Sequence, residues 1–72
     1  MPEIVVADSL AQQFLAINFS RFNYYAQVAL LQKLNATSLS QDMITALDTN
    51  MDDRNSYKNE LIKSLLTSEN RP

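Results

Sequence analysis

The absence of glycine is the sequence feature that most restricts the fold of this chain. None of the 72 residues is glycine, although average usage of about 7% predicts about five. Glycine is the residue that most readily takes positive φ angles, and the two-residue turns of β-hairpins require such angles. An all-β architecture is therefore disfavoured, and we predict an all-α fold.

The chain also lacks the devices that usually stabilise very small domains. It contains no cysteine and no histidine, which excludes disulfides and ordinary zinc sites. A chain of this length buries only about 60% of the surface that its unfolded form exposes. We expect one small helical domain over residues 1–72 that depends on further contacts for its stability.

Hydrophobic periodicity predicts an antiparallel hairpin of two long helices. Helix 1, over about 8–34, begins at a capping-box pattern of Ser9 and Gln12. Its main apolar stripe has 4-3-4-3 spacing and contains Leu10, Phe14, Ile17, Arg21, Tyr24, Val28 and Leu31. The short polar connector 35–38 leads into helix 2, over about 39–67, for which Ser38 is the expected cap.

The middle of the second half leaves an alternative open. Eight of the nine residues in 48–56 are polar or charged, and Asp48 and Asp52 would repel each other at i,i+4 in a helix. The alternative is a three-helix bundle with a break near 48–56. In both versions we expect residues 1–7 to form an extended arm and 68–72 a frayed tail.

The apolar face of helix 1 is wider than a single partner helix covers. At 100° per residue its apolar positions occupy roughly 200° of the circumference. We therefore expect the hairpin to be completed by dimerisation or by a partner protein. In the three-helix alternative, two helices of the same chain would cover helix 1 instead.

The candidate interaction residues lie on helix 1, where five of the six aromatic side chains fall between positions 14 and 25. On the helical wheel Phe19 points almost away from the main stripe, so we interpret it as an exposed anchor for a partner. Asn18 and Arg21 interrupt the apolar face, either to fix the register of an assembly or to bind a partner carboxylate. Most of the aromatic side chains could alternatively be core or homodimer packing. The predicted partner-binding residues are Phe14, Leu15, Asn18, Phe19, Arg21, Phe22 and Tyr25.

No catalytic, cofactor or metal site is predicted. Without cysteine, histidine or glycine, the chain cannot form a thiol or imidazole active site or a glycine-rich phosphate loop. Residues 48–53 match the first, third and fifth positions of a calcium-binding EF-hand loop. Asp53 then stands where the loop needs glycine, and Asn59 stands where it needs glutamate. We therefore expect no calcium site, no enzymatic activity and no small-molecule substrate.

Charge and hydropathy restrict the kinds of partner. The net charge is −2 and the six basic residues are scattered, which disfavours nucleic acid. The longest nearly apolar stretch, 24–31, falls far short of the ~20 residues that span a membrane. Residues 1–7 have no basic region typical of a signal peptide, so we expect a cytoplasmic protein without a membrane span.

These observations predict a non-enzymatic protein–protein interaction module: a small adaptor, co-chaperone or inhibitor that presents the aromatic-rich face of helix 1. In layout, though in no motif, the chain is similar to the small acidic helical hairpins found among bacterial secretion co-chaperones and phage-encoded inhibitors. Two alternatives stay open. The chain could be a structural subunit of a larger assembly or homo-oligomer, or a small dimeric nucleic-acid-binding regulator, which its acidic balance disfavours.

Overall fold

The computed structural model describes residues 9–52 and 54–67, with the side chain of Ser9 left out. Within these residues the chain has helices and no strand, which confirms the predicted all-α class. The four α-helices are α1 (Ser9–Asn18), α2 (Tyr24–Lys33), α3 (Gln41–Thr49) and α4 (Ser56–Leu66). Two 3₁₀ turns, Phe19–Arg21 and Ala36–Ser38, lie in the first two connections. The predicted arm 1–7 and tail 68–72 lie outside the described residues.

The continuous helix predicted over 8–34 is wrong, because polar side chains end one helix and begin another. Asn18 Nδ2 donates a 2.9 Å hydrogen bond to the carbonyl oxygen of Phe14. After the 3₁₀ turn the chain becomes extended at Phe22, with φ −71° and ψ 147°. Asn23 then caps α2, since its Oδ1 accepts a 2.8 Å hydrogen bond from the backbone N–H of Ala26.

The second half of the chain also contains two helices. Helix α3 ends at Thr49 and α4 begins at Ser56, so the break that the alternative placed near 48–56 is present. The cap of α3 is Ser40 rather than the predicted Ser38, because its Oγ accepts a 3.2 Å hydrogen bond from Met43 N–H. Asn55 caps α4 in the same way through Lys58 N–H, at 3.4 Å.

The four helices pack around one small core. Helix α1 packs on α3, α2 packs on α4, and α3 also contacts α4. The core contains the apolar side chains Phe19, Leu31, Leu34, Met43, Leu47, Ile62 and Leu65. The longest dimension is 30 Å, which is shorter than the ~40 Å that a straight 27-residue helix would span.

The connections between helices are built without left-handed backbone. None of the described residues has a positive φ angle, which agrees with the absence of glycine, the residue that takes such angles most readily. Buried side-chain amides donate hydrogen bonds to backbone groups of these connections or accept hydrogen bonds from them. In the connection between α2 and α3, Gln12 Nε2 donates to Ser38 O at 2.9 Å, and Gln12 Oε1 accepts from Ser40 N–H at 2.6 Å.

The other two connections are held in a similar way. Gln27 Nε2 donates a 2.7 Å hydrogen bond to the carbonyl oxygen of Phe19, in the turn after α1. Asn59 Oδ1 accepts a 2.7 Å hydrogen bond from Asp52 N–H, in the connection between α3 and α4. Gln12, Gln27 and Asn59 are all buried, so each connection is fixed to the core by one amide.

Candidate functional site

The outward side of α1 carries three large apolar side chains that are exposed to solvent. Leu10 is 71% exposed, Phe14 67% and Ile17 76%. Their spacing of four and then three residues places them on one side of the helix. We call this surface, made of Leu10, Phe14 and Ile17, the α1 outer face.

The opposite side of α1 faces the core. Gln12 has no exposed surface, and neither has Phe19 in the 3₁₀ turn that follows the helix. Leu15 and Ala16 pack against the core cluster. Phe19 also makes an edge-to-face contact with Phe22, with ring centroids 6.5 Å apart.

The predicted orientation of this helix is therefore wrong, and so is the placement of Phe19 as an exposed anchor. The N-terminal part of the predicted main stripe faces solvent. The side that carries Leu15 and Phe19 packs inward instead, and the polar Gln12 on that side is satisfied by hydrogen bonds to the connection between α2 and α3.

The structure separates the remaining predicted partner-binding residues. Leu15 and Phe22 are partly buried against the core, and Asn18 is half-buried and bonded to backbone. Arg21 is exposed in the 3₁₀ turn, and no carboxylate among the described residues pairs with it. Tyr25 is 81% exposed and packs edge to face on Tyr24, with centroids 5.6 Å apart.

A shallow groove of about 410 Å³ runs beside the α1 outer face, between α1 and α3. Its floor and walls combine small and polar side chains with one side of Ile17. The residues of α1 that line it include Gln13, Ala16 and Ile17, and those of α3 include Asp42, Thr45 and Ala46. The groove therefore adjoins the α1 outer face at Ile17. It is open enough to receive side chains from another helix.

The electrostatic character of this surface is nearly neutral. Helix α1, with the sequence SLAQQFLAIN, contains no charged residue, whereas 19% of the whole chain is charged. Asp42 is the one ionisable side chain among the residues that line the groove. A binding partner would thus be recognised here by apolar contact and by hydrogen bonds more than by charge.

The acidic segment that partly matches a calcium loop is divided by a helix end. Asp48 lies in the last turn of α3, while Asp52 follows the helix and accepts a 3.0 Å hydrogen bond from Arg54 N–H. Among the described residues no three acidic side chains come together as a group that could hold a metal ion. The described helices are also too short or too polar to cross a membrane.

Leu10 and Ile17 belong to the exposed surface but are not among the predicted partner-binding residues. The sequence gives no direct signal for their exposure, because their spacing is equally typical of a core-facing stripe. Comparison with protein-family models, curated proteins and solved structures gives no significant match. The functional interpretation therefore rests on the geometry of the α1 outer face.

Proposed function

We propose that this chain is a non-enzymatic protein-interaction module and that the α1 outer face is its contact surface. The observation that carries the proposal is the side-by-side exposure of Leu10, Phe14 and Ile17, each about two thirds exposed or more. Fully burying one such side chain is worth about 1.5–3 kcal/mol. A partner helix that covers the face would therefore gain several such contributions together.

The contrast between the exposed patch on α1 and the complete core of the single chain supports the same function. Scattered exposed apolar residues are common, whereas the largest contiguous apolar patch of a monomeric protein, roughly 300–600 Å², is often functional. The core beneath the patch is complete, since Phe19, Met43, Leu47 and Ile62 are fully buried without any partner. The exposed side chains are thus surplus to the packing of the single chain, and an adaptor, co-chaperone or inhibitor would use them for binding.

The test is site-specific photocrosslinking in the cells that produce the protein. A photoreactive phenylalanine replaces Gln13, which is exposed and lies between the outer face and the groove. We expect a discrete crosslinked product that disappears in the Phe14→Asp variant. The product should persist in the matched Tyr25→Asp variant, which changes an exposed aromatic residue outside α1. No product, or a product that is indifferent to Phe14→Asp, would contradict the proposed function.

A further inference from the structure

We infer that the partner of the α1 outer face is the same face of a second copy of this chain, packed antiparallel across a two-fold axis. The inference rests on the proposed function and names its partner. It is drawn from three features of the described residues: the symmetry of the face, its lack of charge and its size.

The positions of the exposed side chains are self-complementary. In an isologous pair, residue i contacts residue j and residue j contacts residue i. Leu10 and Ile17 form the two ends of the face, and Phe14 lies close to the point midway between them. Antiparallel pairing therefore places Leu10 opposite Ile17 of the second copy and brings the two Phe14 side chains together.

The charge distribution favours a second copy over a dissimilar partner. Identical surfaces with net charge repel each other when they pair, since like charges are brought together. Helix α1 has no charged residue, and Asp42 is the one ionisable side chain that lines the groove beside it. The penalty is therefore small even though the whole chain carries a net charge of −2. The same neutrality leaves no charge pattern with which to select a different protein.

The size of the face indicates a reversible dimer. A fully exposed side chain of this kind has an area of roughly 200 Å², so the three side chains offer about 400–450 Å² per copy. A standard interface needs about 800 Å² per partner. The groove beside Ile17 adds further contact area through Gln13, Thr45 and Ala46, but the sum stays modest. We therefore expect a dimer whose dissociation is visible at accessible protein concentrations.

The arrangement can be tested by disulfide trapping, because the chain has no cysteine of its own. Disulfides form when two Cα atoms lie about 4.4–6.8 Å apart. In the antiparallel pair, Phe14→Cys should crosslink to itself. A mixture of Leu10→Cys and Ile17→Cys chains should crosslink to each other. Leu10→Cys alone and Ile17→Cys alone should not crosslink, because the two copies of position 10, like those of position 17, are separated by ~10 Å along the helix.

Light-scattering mass after size exclusion, over a range of protein concentrations, is the second measurement. We expect a concentration-dependent shift from monomer to dimer in the wild-type chain. Phe14→Asp should raise the dissociation constant at least about 10-fold, with the helical circular dichroism signal retained. Tyr25→Asp should leave the dissociation constant unchanged.

Two results would overturn the inference. One is efficient self-crosslinking of Leu10→Cys and of Ile17→Cys, which indicates parallel pairing. The other is a wild-type chain that stays monomeric at every concentration. If that monomer still gives a Phe14-dependent photocrosslink to a different protein, the self-pairing fails while the proposed function stands. If it gives none, both fail.

Discussion

The ammonium group of Lys58 donates a 3.0 Å hydrogen bond to Oε1 of Gln27, and both side chains are buried. Nε2 of the same amide donates to the carbonyl oxygen of Phe19 at 2.7 Å. One side chain of α2 therefore joins α4 to the turn after α1. Burying a polar group is costly when the group loses its hydrogen-bond partner. Among the polar side chains, we therefore expect replacement of these two to lower the free energy of unfolding most.

We predict that Gln27→Leu lowers the free energy of unfolding by about 2–4 kcal/mol, because it leaves the Lys58 ammonium and the Phe19 carbonyl without this partner. Urea denaturation followed by circular dichroism measures the change. Adding Lys58→Met to Gln27→Leu should restore part of the loss, since it removes the buried charge.

The control for this prediction is Gln32→Leu. Gln32 also donates a long-range hydrogen bond, to Tyr57 Oη at 3.0 Å, but this pair is exposed. Solvent replaces such a bond, so the change should stay below about 1 kcal/mol. An equal decrease in the free energy of unfolding for Gln27→Leu and Gln32→Leu would show that the buried amide of Gln27 contributes no more to stability than the exposed amide of Gln32.

A second prediction concerns Gln12, which holds the connection between α2 and α3. Gln12→Leu should destabilise the chain by about 1–3 kcal/mol, because Ser38 O and Ser40 N–H each lose a hydrogen bond in a partly buried site. Gln13→Leu is the matched control, since the neighbouring residue is exposed. Thermal unfolding of both variants measures the difference, and a larger effect at Gln13 would contradict the orientation of α1.

The orientation of α1 is tested by comparing Phe14 in the helix with Phe19 in the 3₁₀ turn that follows it. Phe19 is fully buried and Phe14 is 67% exposed. At protein concentrations where the chain is monomeric, Phe19→Ala should cost about 3–5 kcal/mol, whereas Phe14→Ala should cost less than about 1 kcal/mol. Denaturant titrations of both variants give the two values. The reverse ranking would mean that the predicted main stripe faces the core after all.

The sequence predicts the all-α class. It offers the break in the second half as the alternative to one long helix over 39–67, because helix periodicity and the loss of it in 48–56 are local signals. The break after α1 has a comparable local signal, since Asn18, Ser20, Arg21 and Asn23 are polar. The apolar spacing of the main stripe continues through that interval and hides it. Periodicity reports which residues share a side of a helix, and it does not report where a chain changes direction.

The interaction surface is predictable only in part for a related reason. The sequence places the candidate contact residues on helix 1, and the structure exposes Phe14 and Tyr25 among them. The side of α1 that faces the core depends on Gln12, whose buried amide is satisfied by residues 26 and 28 positions later in the chain. A pattern of apolar residues cannot foresee such a tertiary hydrogen bond, and the sequence therefore offers Gln12 only as the capping-box partner of Ser9.

The break between α1 and α2 yields a prediction whose sign distinguishes two helices from one. Asn23 caps α2 through the backbone N–H of Ala26, and loss of such a cap costs about 1 kcal/mol. In one continuous helix, Asn23→Ala would instead stabilise the chain by up to about 0.7 kcal/mol, because alanine has the higher helix propensity. Ser64→Ala, at an exposed position inside α4, should show that small stabilisation. We therefore expect urea midpoints to fall for Asn23→Ala and to rise slightly for Ser64→Ala, and a rise for both would contradict the break.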